Sequence, residues 1–358
     1  MFRKFFIVTF VFTLLFTQLG GAVGSARAAQ CSAGQGQLYI NAGQYKKAIQ
    51  EFSCLIDAQP TNVEGYRGRI EAEVLDGQYS NALADNARIT AYVLPVNPNA
   101  KDSIFAGYSD RLAAAPQDII ALTGMSFSYW ANYQYAPAIH VLNRLLDVQP
   151  NNAFANLFRG SSRLLHHSNK AGGVADLEYG IALAPQSADV RFIVADAYTY
   201  GAHDPQRAFD EASLALAWGL DTPRVHAILA VSYAAFGDPL AAASEIQTHI
   251  DLVTTEFVST SAINVGDEMN LPLVPGRTYD ISVTLSAGET LSIATDSPDF
   301  WDTILVLRAP NGTPILGSDD TNYYYAAINW VAPQSGTYQM LVTSFESIDT
   351  GMLVVTRD

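Results

Sequence analysis

The sequence predicts a chain in two structural halves, an α-helical solenoid followed by a small antiparallel β-sandwich, and three observations carry that reading. Small and aromatic residues return at a period near 34 residues as far as Asp251. Beyond Asp251 the helical period stops and short runs of alternating apolar and polar residues replace it. Before the first repeat stands a short apolar leader, residues 5–16, flanked by Arg3 and Lys4. About 330 residues beyond that leader are enough for two or three domains by length, and the pattern favours two.

The leader has the features of a secretory signal peptide: a basic start, an apolar run and the small-x-small site Ala26-Arg27-Ala28. Residues 1–28 are therefore expected to be removed. The run is shorter than the ~20 apolar residues of a membrane span, and Gln30 stands where a lipid-anchored leader needs a small residue before Cys31. Without the leader, 17 basic residues face 35 acidic ones, a net of −18 with histidine neutral. Such a chain repels nucleic acid and anionic lipid. The acidity is concentrated late, with 13 acidic residues against three arginines from Thr255 onward.

The helical half is expected over 29–251. Its first unit places Gly36 and Tyr39 on the first helix, Gly43 and Tyr45 at the turn, and Ala48, Phe52 and Pro60 on the second helix and its end. These seven positions match the tetratricopeptide repeat frame, so the segment resembles that family. The resemblance implies a stack of helix pairs that recognises a protein or peptide. Ala82 follows Ala48 by 34 residues, with Gly77 and Tyr79 at the second turn and Ile70 in the small-residue place. An insertion, 96–118, opens with a proline break and carries one extra helix over 103–115. The third copy shows Tyr129, Tyr135, Ala138 and Pro150, with Ser126 in the small-residue place. The fourth has Gly173 where alanine is expected; its first helix can be framed two ways, and the frame with Leu157, Ser161 and Leu164 inward is preferred because the other buries Arg163. The fifth has Ala195, Tyr198, Ala208 and a longer turn at Asp204-Pro205, and the sixth has Ala230, Tyr233, Gly237 and Ala242. Six units exceed the three or so that a solenoid needs.

Cys31 falls near the start of the first helix of repeat one and Cys54 near the end of the second, which are neighbours in an antiparallel hairpin. One disulfide is expected, in keeping with export; two buried free thiols are the competing reading.

Residues 252–268 read as a link rich in Thr and Ser. Alternating runs follow at 279–285, 290–295, 303–308, 313–317, 326–332, 337–343 and 352–356, separated by turns such as Pro310-Asn311-Gly312 and Ser335-Gly336. Spaced short strands of this kind predict a sandwich. The phrases YDISVTLSAGETLSI, DTILVLRAPNG, SDD and VAPQSGTYQMLV, in that order, resemble the bacterial pre-peptidase C-terminal domain over 269–358. That resemblance implies a module for attachment or substrate contact.

Motifs for chemistry are absent: no HExxH, no GxSxG, and adjacent His166 and His167 that point apart. Asp302, Asp319 and Asp320 form the candidate cation site, since related domains hold calcium through acidic loops and carboxylate oxygens suit that ion; a plain hairpin turn is the competing reading. No other cofactor is expected. On the repeats, Ile120, Thr123, Phe127 and Trp130 fall on a stripe separate from the packing stripe, and Phe158, Phe192 and Tyr200 extend it. These residues are the expected partner-binding groove, with packing against neighbouring helices as the competing reading. The expected function is that of an exported, non-enzymatic scaffold, bacterial and extracytoplasmic, holding a protein or peptide partner with the sandwich as docking module. The alternative is an accessory module of an extracellular enzyme complex whose sandwich binds polysaccharide or another substrate polymer.

Overall fold

The computed structural model of the chain describes residues 31–296, 302–318, 326–345 and 351–357. Among them are 13 α-helices followed by nine strands. The chain forms two compact units, one ending at Pro150 and the other beginning at Asn151.

The first unit holds three helix pairs and one extra helix. The pairs are α1 (Ala33–Asn41) with α2 (Tyr45–Ala58), α3 (Val63–Asp76) with α4 (Tyr79–Arg88), and α6 (Ile119–Ala131) with α7 (Tyr135–Val148); α5 (Ala100–Ala114) is the insertion helix. Each first helix begins at a side-chain cap. Ser32, Asn62 and Asp118 accept from the backbone N–H three residues on, which satisfies one of the donors that a helix start leaves orphaned. Pro60 and Pro116 stand two residues before the second and third of these caps, so a P-x-(N/D) signal closes one element and opens the next. The Phe52 ring is clamped between α1 and α3. A Cβ on Gly36 would lie 2.5 Å from Phe52 Cζ, and one on Gly68 only 2.1 Å from it. Gly68 on α3 thus forms the other wall around the ring, while Ile70, in the small-residue place of the second repeat, is buried. The disulfide joins Cys31 and Cys54, with Cα atoms 6.0 Å apart, and pins the start of α1 to the end of α2.

The second unit continues with α8 (Ala153–Leu165), α9 (Lys170–Leu183), α10 (Ala188–Asp196), α11 (Pro205–Ala217), α12 (Pro223–Ala235) and α13 (Pro239–Val253). Asn152 and Ser187 cap α8 and α10 two residues after Pro150 and Pro185. Two helices end in a π-helical turn: Ile89–Val93 continues α4, and Ala197–Ala202 continues α10.

All six helix turns place one residue in the left-handed backbone region. Gly43, Gly77 and Gly237 do so in repeats one, two and six; Tyr133, His167 and His203 do so in repeats three, four and five. A side chain there costs about 1–2 kcal/mol that glycine avoids.

Buried charge in the helices is paired. Arg69 forks onto Asp85, which also binds Arg88. Arg159 and Arg163 share Asp176, Arg191 binds Glu211, and Arg224 binds Asp196. Arg163, which the sequence frame kept out of the core, lies half-buried against this carboxylate.

The strands are β1 (Glu256–Ser259), β2 (Glu268–Leu273), β3 (Arg277–Leu285), β4 (Thr290–Asp296), β5 (Thr303–Arg308), β6 (Pro314–Ser318), β7 (Ala327–Val331), β8 (Gly336–Ser344) and β9 (Gly351–Arg357). One sheet has the order β1-β3-β8-β5-β6 and the other β2-β9-β4-β7. Every pairing is antiparallel except β1 with β3, which is parallel, so the sandwich is mixed rather than purely antiparallel. Tyr279, Ile281, Val283, Leu285, Leu305, Tyr338, Met340 and Leu353 close its core. The stretch 252–268 is built into this body: it carries β1, and Ile263 is 1% exposed in the sandwich core.

The last repeat and the sandwich share a second core, in which Ala227, Ala230, Ala243, Ile246 and Ile250 meet Ile304, Val306, Leu341 and Phe345. Gly317 on β6 permits the approach, since a Cβ there would come 2.6 Å from Ile246 Cδ1. His249 of α13 is fully buried between two carbonyls, Nδ1 lying 2.9 Å from Pro223 O and Nε2 3.0 Å from Phe345 O. A neutral imidazole donates to only one of them. Burial nevertheless outweighs the pull of both carbonyls and pushes the His249 pKa down to about 4.

Candidate functional site

Among the described residues of the first unit, a cleft of about 310 Å³ is lined by Gln37 and Asn41 of α1, Arg67 of α3 and Arg111 of α5. The first helices of repeats one and two supply three of the four, and the insertion helix supplies the fourth. Gln37 and Asn41 stand one turn apart, neighbours on one helix face, with Gln37 Nε2 3.4 Å from Asn41 Oδ1.

Both guanidinium groups are held in place by carboxylates. Arg67 donates through Nε to Glu64 and through Nη1 to Glu71 Oε1, at 3.1 and 2.6 Å. Arg111 forks onto Asp118 through Nε and Nη2, at 3.1 and 2.9 Å. Asp118 is also the cap of α6, so one carboxylate fixes both a helix start and the wall of the cleft. Beneath the arginines lies the buried Glu71, whose Oε2 is 3.6 Å from Arg111 Nη1, outside hydrogen-bond range. Burial raises the Glu71 pKa above the ordinary carboxylate range, against the opposing pull of Arg67 and Arg111. Burial, and then the Glu71 charge, lift the pKa of the Tyr108 phenol well above its usual value. The Arg67 guanidinium also sits 6.0 Å from the Tyr108 ring centroid.

Chemically, the cleft offers N–H donors left over from two rigid forks and two carboxamides that both donate and accept. It suits a carboxylate or a chain of peptide groups. Among the described residues no set of three or more His, Cys, Asp or Glu is placed to hold a metal ion, and no helix is long and apolar enough to cross a membrane.

The residues expected to form an aromatic groove are placed differently. Phe127 is 1% exposed and Trp130 5%, their rings 6.3 Å apart. Phe158 is fully buried, its ring centroid 4.4 Å from that of Phe154 with the planes tilted, and Phe192 is 2% exposed. These four are packing residues, a correction to their expected role as open anchors: large apolar rings on tightly paired helices are covered by the protein's own side chains. Ile120 is half-buried against the Ile40 and Phe52 cluster. Tyr200 is half-buried, with the Arg224 guanidinium 5.7 Å from its ring. Asp302, just before β5, is half-buried, and its carbonyl accepts from the Phe345 N–H; Asp319 and Asp320 lie outside the described residues.

Sequence reasoning passed over the cleft. Its signal was the polar pair Gln37 and Asn41 beside the buried Gly36 and Ile40, together with Arg67 one turn before Glu71. Each reads singly as solvated surface, and only the fold brings Arg111 of the insertion to them.

No protein-family model and no curated protein matches the chain. Solved structures similar to parts of it include a tetratricopeptide repeat protein from Parabacteroides merdae, at 15% identity over 63% of this chain and 78% of that one, with a TM-score of 0.38. A thermophilic tetratricopeptide repeat protein of Thermus thermophilus shares 18% identity over 56% of this chain and 96% of its own, with a TM-score of 0.34. The pre-peptidase C-terminal domain of a collagenase from Bacillus anthracis shares 13% identity over 29% of this chain and 95% of its own, with a TM-score of 0.25. Likenesses at these scores add nothing to what helix pairing and strand register establish by themselves. The chain is thus similar to tetratricopeptide repeat proteins in its helical half and to a pre-peptidase C-terminal domain in its strand half.

Proposed function

We propose that the chain is an exported, non-enzymatic scaffold that holds a segment of a protein partner against the first helices of its repeats. The partner's carboxylate or peptide carbonyl groups engage Arg67, Arg111, Gln37 and Asn41. The observation that carries this reading is the cleft itself: two guanidinium groups already fixed by Glu64, Glu71 and Asp118 present their spare donors with little further ordering to do on binding. The Cys31–Cys54 bridge supports an oxidising compartment.

Binding is tested with a displayed library of acidic and carboxy-terminal peptides captured by the full chain. Arg111→Lys keeps a charge opposite Asp118 and loses the planar fork. Capture by this variant should fall at least tenfold with the helical signal and melting temperature unchanged, and Gln37→Ala with Asn41→Ala should weaken it further. Undiminished capture in the triple variant would remove the cleft from the reading.

A further inference from the structure

The charges around the cleft do not sum in favour of an anion. Arg67 and Arg111 supply two positive charges, while Glu64, Glu71 and Asp118, each within ion-pair distance of one of them, supply three negative ones. The surroundings leave this sum as it is. α1 and α6 carry no charged side chain, and on the other face of α3 Arg69, Glu73, Asp85 and Arg88 close a separate network of two positive and two negative groups. A carboxylate reaching the two guanidinium groups therefore meets a cluster with one negative charge in excess. The three acids differ in how that excess can be relieved. Glu64 is 54% exposed and screened by water, Asp118 is held by the Arg111 fork, and Glu71 is fully buried. Glu71 Oε2 and the Tyr108 hydroxyl beside it are both buried with no hydrogen-bond partner. A proton on Oε2 turns that oxygen into a donor, with the phenol oxygen as its acceptor, while Oε1 keeps the bond from Arg67 Nη1. The helices α1, α3, α5 and α6 hold no histidine, so no other side chain on them ordinarily changes charge near neutrality.

We propose that an anionic segment enters this cleft together with a proton from solvent, which comes to rest on Glu71 Oε2. The inference rests on the cleft being the partner site and adds how that site is regulated. Protonation forms one O–H bond at Oε2 and takes the cluster from one excess negative charge to none before the ligand charge is added. It also releases Arg111 Nη1, 3.6 Å from Oε2, to donate into the cleft. Burial already lifts the Glu71 carboxyl above the ordinary carboxylate range, so little further bias is needed. The coupling is reciprocal: the ligand strengthens proton binding and the proton strengthens ligand binding by the same factor. Affinity for an anionic segment therefore rises as pH falls, by at most about tenfold per pH unit for one proton, and levels off below the Glu71 pKa of the free protein. A neutral segment brings no charge and shows neither effect.

The test titrates N-acetyl-triglutamate into the full chain by calorimetry between about pH 6 and pH 8, where the peptide's own carboxylates stay ionised. Tris and imidazole serve as the two buffers, since they differ in ionisation enthalpy and do not compete for the arginines as anions. The difference in heat between them counts protons. The wild-type chain should take up as much as one proton per peptide and bind it several-fold more tightly at the acid end, whereas the uncharged triglutamine amide should draw in none. Glu71→Gln copies the protonated carboxyl in shape and charge. It should abolish the uptake and hold the affinity for triglutamate at pH 8 at or above the wild-type value at pH 6, with the helical signal unchanged. Glu64→Gln removes an equal charge from the exposed side of Arg67 and should keep the uptake. Binding of triglutamate without proton uptake at any pH, or uptake that survives Glu71→Gln, overturns the coupling and leaves the cleft standing. Absence of binding by either peptide removes the cleft as the partner site, and the coupling with it.

Discussion

Gly68→Ala should destabilise the first unit although it replaces a helical glycine with the best helix former. By propensity alone the change gains about 1 kcal/mol. The added Cβ would lie 2.1 Å from Phe52 Cζ and 2.2 Å from Cε1, where carbon atoms pack at about 3.5–4 Å. The ring would have to retreat by more than 1 Å, and its other side is already against α1, where even Gly36 has no room for a Cβ. Phe52 is 1% exposed, so it has no solvent to swing into. Overpacking of this kind costs about 1–3 kcal/mol, and a clash this close belongs at the upper end, leaving a net loss near 2 kcal/mol. Gly34→Ala on α1 is the matched control: nothing lies within 4 Å of its Cβ, so it should be neutral or stabilising by up to about 1 kcal/mol. Native-state hydrogen exchange of amides in α1 to α3 reads both variants in the full chain. Phe52→Leu combined with Gly68→Ala should recover part of the loss, a coupling of opposite sign to the single effects. Equal behaviour of Gly68→Ala and Gly34→Ala would refute the clamped ring.

The remaining predictions concern other parts of the chain. The oxidised protein should show no free thiol on labelling under denaturing, non-reducing conditions, and Cys31→Ser with Cys54→Ser should lower stability by about 3 kcal/mol, the chain-entropy value for a loop of this length; labelling of both cysteines in the wild type would exclude the bridge. His249, with its pKa lowered to about 4 in the fold against about 6.5 unfolded, leaves stability untouched above pH 6.5 and removes up to about 3 kcal/mol as pH falls from 6.5 to 4. His226 has the opposite sign: burial opposes its charge, but Glu245 and Asp221 raise its pKa, so its contribution is full below pH 6.5 and is lost as pH rises through the raised value. Melting curves against pH for His249→Gln should lose the first limb and for His226→Gln the second, and curves parallel to wild type would contradict both assignments. Tyr133→Gly should raise stability by about 1 kcal/mol through relief of the left-handed backbone, measured by thermal melting, with a fall in melting temperature counting against it.

Much of the architecture was readable because it is written in strong local signals. Proline followed two residues later by Asn, Asp or Ser marks four of the six first helices, and alternation located seven strands to within a residue or two of their ends. The two missed strands have physical excuses. β1 is four mostly exposed residues in a Thr-rich stretch, and β2 contains Pro272, which suits an edge strand and weakens the signal of any strand. The site was read poorly for a different reason. An apolar ring on a helix carries the same sequence signature whether a partner or the next helix covers it, and Phe127, Trp130, Phe158 and Phe192 turned out to be covered by the chain. Left-handed Tyr133, His167 and His203 were missed because glycine alone marks that conformation strongly, histidine only weakly and tyrosine not at all. The cleft depended on Arg111, whose place beside α1 and α3 is a matter of where the insertion docks, not of its own composition.

The shared core of α12 and α13 with β5, β6 and β8 bears on how this chain could lengthen. A solenoid grows by presenting the exposed face of its last repeat to another copy, and here Ile246 and Ile250 are already sealed under a sheet, with His249 bonded across the seam. A seventh repeat appended after Val253 would have to displace the sandwich to find a stacking surface. The sandwich is thus a terminator, doing for the repeat array what a polar final helix does elsewhere. Variation in repeat number among proteins built this way should arise upstream of α12, in the same half of the chain where residues 96–118 already show that extra helix is tolerated.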